Sequence, residues 1–548
     1  MAESSKHLVK MRPKNDPGSV SDTALCFLPI TTTKPCNRRD VELRLASARS
    51  HLAKISHRRK KSTVNGKNEI ISVSEQIDCR DQYHLTPTLF CVVPDRILNR
   101  HTAMLLQYCT QSFWPGFETG SAAFHIPSFA RDYNTLISQG PGLVHALLWS
   151  AAVSLSYRRN VRVTDKDSLM HYNQALRYIS QDVARPVEEI SEQTMYAILS
   201  ITGPEVSPDD GNGIVKRAFD PPLAELSWLH VYGRRLHIDA HAMALIRIVD
   251  LKGGIHNLKS SDFQASFNYM DLTRASQRLI RPHLPVSMLY GKVRETHDRR
   301  KLFGYAGDLT PASCTDMTES IRRLSELGLS SDLEEVILDM RAWVQVIEGY
   351  QFGFLTNHDS SLLTAHRDLI QQRLLTTLPK EEDVVNIAVI EQGGGAGSKP
   401  AEWINELVQT ALLIFSFGVT FPIPYAPPYH QLSKRLKTQL EQHMDQALEL
   451  QLFDLLTWLG MLGVLCSEQV RSDLRVWFVS FLTAVETNRT GISGTRDWLT
   501  VVTGSLKPFL WSRVSCDTAA EEAWKEVQEG SRGWERTAWS GILGTICG

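Results

Sequence analysis

The 548-residue chain is 43% hydrophobic and 22% charged, which is the composition of a folded globular protein and excludes wholesale disorder. Its formal net charge of −1 excludes a chain that is strongly basic or acidic as a whole. Nine scattered cysteines, with no Cys-x-x-Cys pair, argue against a disulfide framework and favour a reducing compartment.

Residues 1–39 are predicted to be a flexible tail, because they are rich in Ser, Thr, Pro and Lys and show no sustained apolar period. Residues 1–18 are polar and basic, so we expect no secretory signal. The segment 34–61 holds ten Lys or Arg residues against Asp40 and Glu42, so a short basic arm precedes a mildly acidic body.

A basic amphipathic helix is predicted to begin after Asp40, which can cap its N-terminus, and to pass into a linker that ends at residue 68. Apolar residues recur at helical spacing along one face of this helix, namely Val41, Leu45, Ala48, Leu52 and Ile55. The remaining surface supplies the candidate residues for nucleic-acid contact or nuclear import: Arg49, His51, Lys54, Arg58, Arg59, Lys60 and Lys61. A solvated charged face is the alternative interpretation.

Residues 69–94 are predicted to be a connector, and residues 95–548 a helical body without long strands. The apolar periods predict helices at 96–110, 141–157, 167–183, 191–201, 225–250, 263–280, 332–351, 360–378, 401–417 and 429–467. The glycine-rich stretch 391–400 is a candidate hinge. The most apolar stretches, 411–419 and 455–466, are shorter than the roughly 18 residues of a membrane span and are predicted to be buried core helices.

Three patterns that could carry chemistry are weak. His237, Asp239 and His241 superficially resemble a metal site, but on a continuous helix Asp239 would point away from the two histidines. The 393–399 loop lacks the Gly-Lys-Ser/Thr ending of a phosphate-binding loop and leads into Pro400. No nucleophile elbow or His-Glu-x-x-His motif is present. We therefore predict no enzyme, no cofactor and no metal, and we expect most tryptophans to lie in the core.

Several segments, in order along the chain, resemble the fungal-specific transcription factor domain family. RLASARSHLAKISHRRKK is similar to that group's basic helix, here carried by Arg49, Ser50, His51, Arg58 and Arg59. Segments of the body resemble the family's successive regulatory helices: PGLVHALLWSAAVSLSYRR, HYNQALRYISQDVARP, SEQTMYAILSITGPE, HIDAHAMALIRIVDLKGGI, RPHLP, LLTWLGMLGVLCSE, RVWF and SLKPFLWSRVSCD.

The resemblance implies an all-α regulatory domain like the family's middle homology region. It also implies a nuclear regulator of transcription, with a cytoplasmic pool allowed, that controls a metabolic or secondary-metabolite gene set. The expected partners are DNA or a DNA-binding protein, in a homo- or heterodimer, and no membrane. One departure matters: only Cys26 and Cys36 precede residue 79, so the family's six-cysteine zinc cluster cannot form. A co-regulator or scaffold that pairs with a separate DNA-binding protein therefore stays open, as does a helical biosynthetic enzyme.

Overall fold

The structure is a computed structural model that describes residues 99–113, 140–159, 165–203, 218–233, 237–284, 317–354, 360–378, 400–424, 426–470, 472–490 and 495–532. Helix makes up 79% of this part of the chain, which contains no strand, so the predicted all-α class is confirmed there. The tail, the basic helix, the connector and all of the candidate hinge except Pro400 lie outside the described residues.

The helices are numbered here in chain order. They are α1 (Arg100–Tyr108), α2 (Pro141–Arg158), α3 (Lys166–Asp182), α4 (Glu192–Ile201), α5 (Leu229–Tyr232), α6 (Asp239–Leu251), α7 (Ser261–Arg278), α8 (Glu319–Glu326), α9 (Ser331–Gln351), α10 (Ser360–Thr376), α11 (Pro400–Phe415), α12 (Ala426–Glu449), α13 (Phe453–Gln469), α14 (Leu474–Thr490), α15 (Trp498–Val501) and α16 (Arg513–Arg532). Single π-helical turns extend α1, α11 and α15, at Cys109–Phe113, Ser416–Thr420 and Val502–Leu506.

Local sequence signals explain many of the helix ends. The side chain of Asp165 accepts a hydrogen bond from the backbone amide of Ser168, and that of Ser191 accepts one from the amide of Thr194. These bonds cap the N-termini of α3 and α4, as short polar side chains commonly do. Helix α6 ends before Gly253 and Gly254, whose positive φ angles of 86° and 95° suit residues without a Cβ.

An N-terminal core is formed by α1 to α4, α6 and the first half of α7. Helix α2 lies at its centre and is buried on most of its surface, including Leu143, Ala151 and Val153. A helix that is apolar around most of its circumference must be covered on several sides, and α1, α3 and α4 all pack against α2.

A larger C-terminal core is formed by the second half of α7 and by α8 to α16, together with Leu229 of α5. Helix α13 is buried along nearly its whole length and packs against α12 and α14. The stretch Glu402–Thr420 is long and apolar enough to cross a membrane, yet 83% of its most apolar window is buried inside the protein, as in a core helix. The predicted burial of 411–419 and 455–466 is confirmed.

Helix α7 belongs to both cores. Phe263, Phe267 and Met270 pack in the N-terminal core, whereas Leu272 and Ala275 pack in the C-terminal core. Because one helix supplies apolar side chains to both, the two cores are joined through its middle.

The predicted continuous helix 225–250 is wrong. A short 3-10 turn at Leu226–Trp228 and the one-turn helix α5 occupy its first part, and α6 begins only at Asp239. The apolar period continues through the region, but Ser227 and Trp228 adopt left-handed backbone angles that a continuous right-handed α-helix excludes.

The predicted helix 429–467 is also wrong, since the structure divides it into α12 and α13. Gln451 has a φ of 54°, and the amide of Leu452 bonds the carbonyl of Ala447 to close the turn. No glycine or proline marks this turn, and apolar residues run through it, so the periodicity concealed the break.

Candidate functional site

The candidate site lies where the two cores meet. Helices α7 and α10 bury an unusual number of polar side chains there, which we call the polar junction: Asn268, Asp271, Thr273, Arg274, Ser276, Gln277, His366, Arg367, Asp368, Gln371 and Gln372. Buried polar groups are stable only when they are hydrogen-bonded, so their partners define what the junction can do.

Arg367 is the most buried cation of the junction, with 1% of its surface exposed. Its Nε and Nη2 atoms donate to Asp368 Oδ1 at 2.9 and 2.7 Å, and its Nη1 donates to the carbonyl of Leu226 at 2.7 Å. The guanidinium also lies 5.1 Å from the ring centroid of Phe421. Through these contacts, Arg367 joins α10 to the chain segment that precedes α5.

Two amide side chains extend the junction. Gln371 donates to Ser276 Oγ at 2.9 Å and accepts a bond from Ser416 Oγ, so it joins α10 to α7 and to the π turn after α11. Gln277 donates to the carbonyl of Gly233 at 2.9 Å. A Cβ added at Gly233 would lie 2.7 Å from the carbonyl oxygen of Leu229. The turn after α5 therefore requires a residue without a side chain at this position.

Asp271 is a deeply buried acid of the junction. It is 1% exposed, and burial raises its pKa, although the bond from the Leu284 amide to its Oδ2 at 2.8 Å and the charge of Arg274 act in the opposite direction. Burial also raises the pKa of Tyr269, whose hydroxyl donates to the carbonyl of Ser227 at 3.1 Å. Asp271 Oδ2 and the Tyr269 hydroxyl thus bond to backbone groups, whereas Asp271 Oδ1 is buried without a hydrogen bond from the described residues.

A second polar cluster lies inside the N-terminal core. His145 Nδ1 and His171 Nδ1 are 2.8 Å apart, and His171 Nε2 is 3.3 Å from Thr102 Oγ1. Both rings are buried. One neutral imidazole must donate to the other, because two cations could not share this space. Burial, followed by the charges of His145 and His101, lowers the pKa of His171 to about 4, which Asp165 and Asp167 counteract only in part.

This histidine pair makes stability dependent on pH. Because the pKa of His171 is lowered from 6.5 to about 4, the unfolded chain binds its proton first as the pH falls between these values. We expect the free energy of unfolding to decrease across this window by up to about 1.4 kcal/mol per pH unit from this group. His171→Gln should flatten the dependence, as measured by urea midpoints at pH 7.5 and 5, whereas the exposed control His256→Gln should not. Parallel curves for both variants would contradict the assignment.

His101, Ser168 and Asp165 superficially resemble a catalytic triad. His101 Nε2 is 3.0 Å from Ser168 Oγ and 3.3 Å from Asp165 Oδ1, so serine and carboxylate contact the same ring nitrogen. A triad needs the carboxylate on the opposite nitrogen, where it orients the base. Asp165 instead caps α3, so this group stabilises a helix end.

The His237, Asp239 and His241 pattern separates in the structure. His237 precedes α6 and contacts Thr273 Oγ1 at 3.0 Å, Asp239 pairs with Arg274 and Arg278, and His241 is buried beside the carbonyl of Ile201. The premise of one continuous helix through all three residues is therefore wrong. Within the described ranges, no group of three His, Cys, Asp or Glu side chains could hold a metal ion.

The seven basic candidates predicted from the sequence, Arg49, His51, Lys54, Arg58, Arg59, Lys60 and Lys61, lie outside the described residues, as does the 393–399 loop. Trp458, Trp511 and Trp524 are buried, which confirms their prediction as core residues, and Trp477 and Trp498 are partly buried. Burial raises the pKa of three thiols, Cys109, Cys466 and Cys516, and so disfavours the reactive thiolate.

Comparison of the chain with protein-family models, with curated proteins and with solved structures gives no match. The family resemblance therefore rests on the quoted sequence segments alone.

Proposed function

We propose that the protein is a regulator of transcription in which the helical body is the regulatory module and the basic arm 34–61 contacts DNA or directs nuclear import. The observation that carries the proposal is the order of family-like segments along the chain, which begins with the basic helix and continues through the body. The all-α class of the described body agrees with the fold that this resemblance implies. The controlled genes would be a metabolic or secondary-metabolite set.

The chemistry of the basic arm supports the same proposal. Ten cations within 28 residues can displace condensed counterions from nucleic acid, and that release drives binding without sequence specificity. The arm has no aromatic residue between positions 34 and 61, which argues against stacking on single-stranded bases. Duplex DNA is therefore the favoured nucleic-acid partner.

A co-regulator without DNA binding of its own is the second candidate. It is favoured by the cysteine distribution, because Cys26 and Cys36 alone cannot build the zinc cluster that reads DNA in many relatives of this type. In that case the body would bind a separate DNA-binding protein. A helical enzyme is less well supported, since the sequence carries no nucleophile elbow and no His-Glu-x-x-His motif.

The test uses three forms of the full-length chain. The first is unchanged, the second carries Gln in place of Arg58, Arg59, Lys60 and Lys61, and the third is a control with the same loss of charge on the exposed surface of the body, at Arg177, Arg247, Lys434 and Lys525. Binding to a 30-base-pair duplex is measured at several salt concentrations between about 50 and 200 mM, where phosphate contacts dominate the salt dependence.

We expect the arm variant to bind more weakly and to lose up to about 3–4 from the slope of log affinity against log salt, roughly 0.9 per lost phosphate contact. The control should keep the slope of the unchanged protein. Selection from a random duplex library then separates the two candidates: an enriched sequence indicates an autonomous regulator, whereas no enriched sequence means that a separate protein must read the DNA and indicates a co-regulator. Equal slopes for the arm and control variants would refute the role of the arm.

A further inference from the structure

The segment 226–233 carries a strained backbone in a place where the two cores meet. Ser227 has φ 52° and ψ 39°, and Trp228 has φ 57° and ψ 24°, so two successive residues with side chains are left-handed. Each such residue is disfavoured by on the order of tenfold in population, because its Cβ crowds the following carbonyl oxygen. Strain of this kind persists only where the surroundings enforce it.

Four side chains hold this segment by its carbonyl groups. Three come from the polar junction and its helix α7, and one comes from α2 in the N-terminal core. The bonds are Arg367 Nη1 to the Leu226 carbonyl at 2.7 Å, Tyr269 hydroxyl to Ser227 at 3.1 Å, Tyr157 hydroxyl to His230 at 2.8 Å and Gln277 Nε2 to Gly233 at 2.9 Å. Neighbouring carbonyls are thus held from both cores at once.

The side chains of the segment also divide between the cores. Leu229 is fully buried in the C-terminal core. The Trp228 ring instead lies 6.4 Å from Phe113 and 5.6 Å from His230, with the exposed Arg158 guanidinium 5.9 Å from its centroid. Ser227 Oγ is 2.7 Å from Thr364 Oγ1 of α10. Trp228 is therefore adjacent along the chain to a residue that is bonded to α10.

We propose that segment 226–233 is a two-state conformational switch that couples the aromatic cluster around Trp228 to the polar junction. In the clamped state, which the structure shows, the four bonds hold Ser227 and Trp228 left-handed. In the released state both residues return to ordinary backbone angles, Trp228 leaves the cluster beneath Arg158, and Arg367 loses the Leu226 carbonyl. Stored strain keeps the two states close in free energy, so a ligand or partner that contacts the Trp228 cluster would shift their populations.

The first experiment tests the strain with a matched pair in the full-length chain, Ser227→Gly and Ser227→Ala. Both variants lose the hydroxyl contact with Thr364, but only glycine adopts the left-handed angles without cost. We expect amide hydrogen exchange of peptides covering 226–233 to be about fivefold faster in the alanine variant than in the glycine variant. Equal exchange in the two variants would mean that no strain is held at residue 227 and would overturn the proposal.

The second experiment tests coupling across the junction. Tyr157→Phe removes the bond to the His230 carbonyl from the side of the N-terminal core. We expect faster amide exchange in 226–233. We also expect faster exchange in α10, although the bond that is removed does not involve α10. Tyr172→Phe, at a partly buried tyrosine of the same core, is the control and should leave α10 unchanged. If Tyr157→Phe accelerates exchange in 226–233 but not in α10, the segment is a static connection and the switch is refuted.

Discussion

Replacing Asp368 by alanine is expected to lower the free energy of unfolding by about 3–5 kcal/mol, the usual loss when one partner of a buried ion pair is removed. Arg367 would keep its place at 1% exposure but lose the carboxylate that accepts both Nε and Nη2. A guanidinium cannot give up its proton to escape this cost, because it stays charged at all accessible pH values.

Urea unfolding, followed by circular dichroism, measures this loss. The matched control is Glu319→Ala, which removes the acid of an exposed ion pair with Arg322 and should change stability by less than about 1 kcal/mol. The double variant Asp368→Leu with Arg367→Met should recover much of the loss, because it removes the stranded charge together with its partner. Similar values for Asp368→Ala and Glu319→Ala would show that the Arg367 pair is not buried in solution.

The second large effect is expected at Gly463, where α13 packs closely against Phe478 of α14. A Cβ placed at this position would lie 2.3 Å from the Cδ1 and Cε1 atoms of Phe478, which is fully buried. Gly463→Val should therefore cost about 3 kcal/mol or more, since overpacking a dense core outweighs the gain in helix propensity, which for valine is well below about 1 kcal/mol.

Thermal unfolding of the Gly463→Val variant measures this cost. The control is Gly504→Ala, because a Cβ added at Gly504 would meet nothing within 4 Å. The control should unfold within a few degrees of the unchanged protein. Combining Gly463→Val with Phe478→Leu should restore part of the stability, because the smaller side chain leaves room at the point of contact. A neutral Gly463→Val would mean that α13 and α14 lie farther apart than described.

The helices of the N-terminal core were largely predictable from local sequence. The predicted ranges 141–157, 167–183 and 191–201 agree within two residues with α2, α3 and α4. Their signals are local, since a proline begins α2 and capping side chains precede α3 and α4. The C-terminal end of the predicted helix 225–250 also agrees within one residue with the end of α6 at Leu251.

The two wrong helices failed at left-handed residues that are not glycine. Ser227, Trp228 and Gln451 take angles that their own side chains disfavour, and two tertiary bonds hold Ser227 in this conformation. Such a break leaves no trace in composition, because its cause lies elsewhere in the chain.

The polar junction was missed for a related reason. Its bonds join residues that are far apart in sequence, such as Gln371 with Ser276, 95 positions apart, and Arg367 with Leu226, 141 positions apart. Read alone, α7 and α10 carry polar residues that a helical period assigns to solvent. Only the packing of both helices between the two cores makes those side chains interior ones.

Helix α7 has a practical consequence for dividing the chain. Phe263 and Phe267 pack in one core, whereas Leu272 and Ala275 pack in the other. If the chain is divided on either side of α7, one of the two fragments therefore lacks side chains that its core needs. A fragment that keeps the helix presents the unused half of it to water, as an apolar surface that invites aggregation. The two fragments should consequently be recovered in soluble form only when they are co-expressed and reassemble around α7.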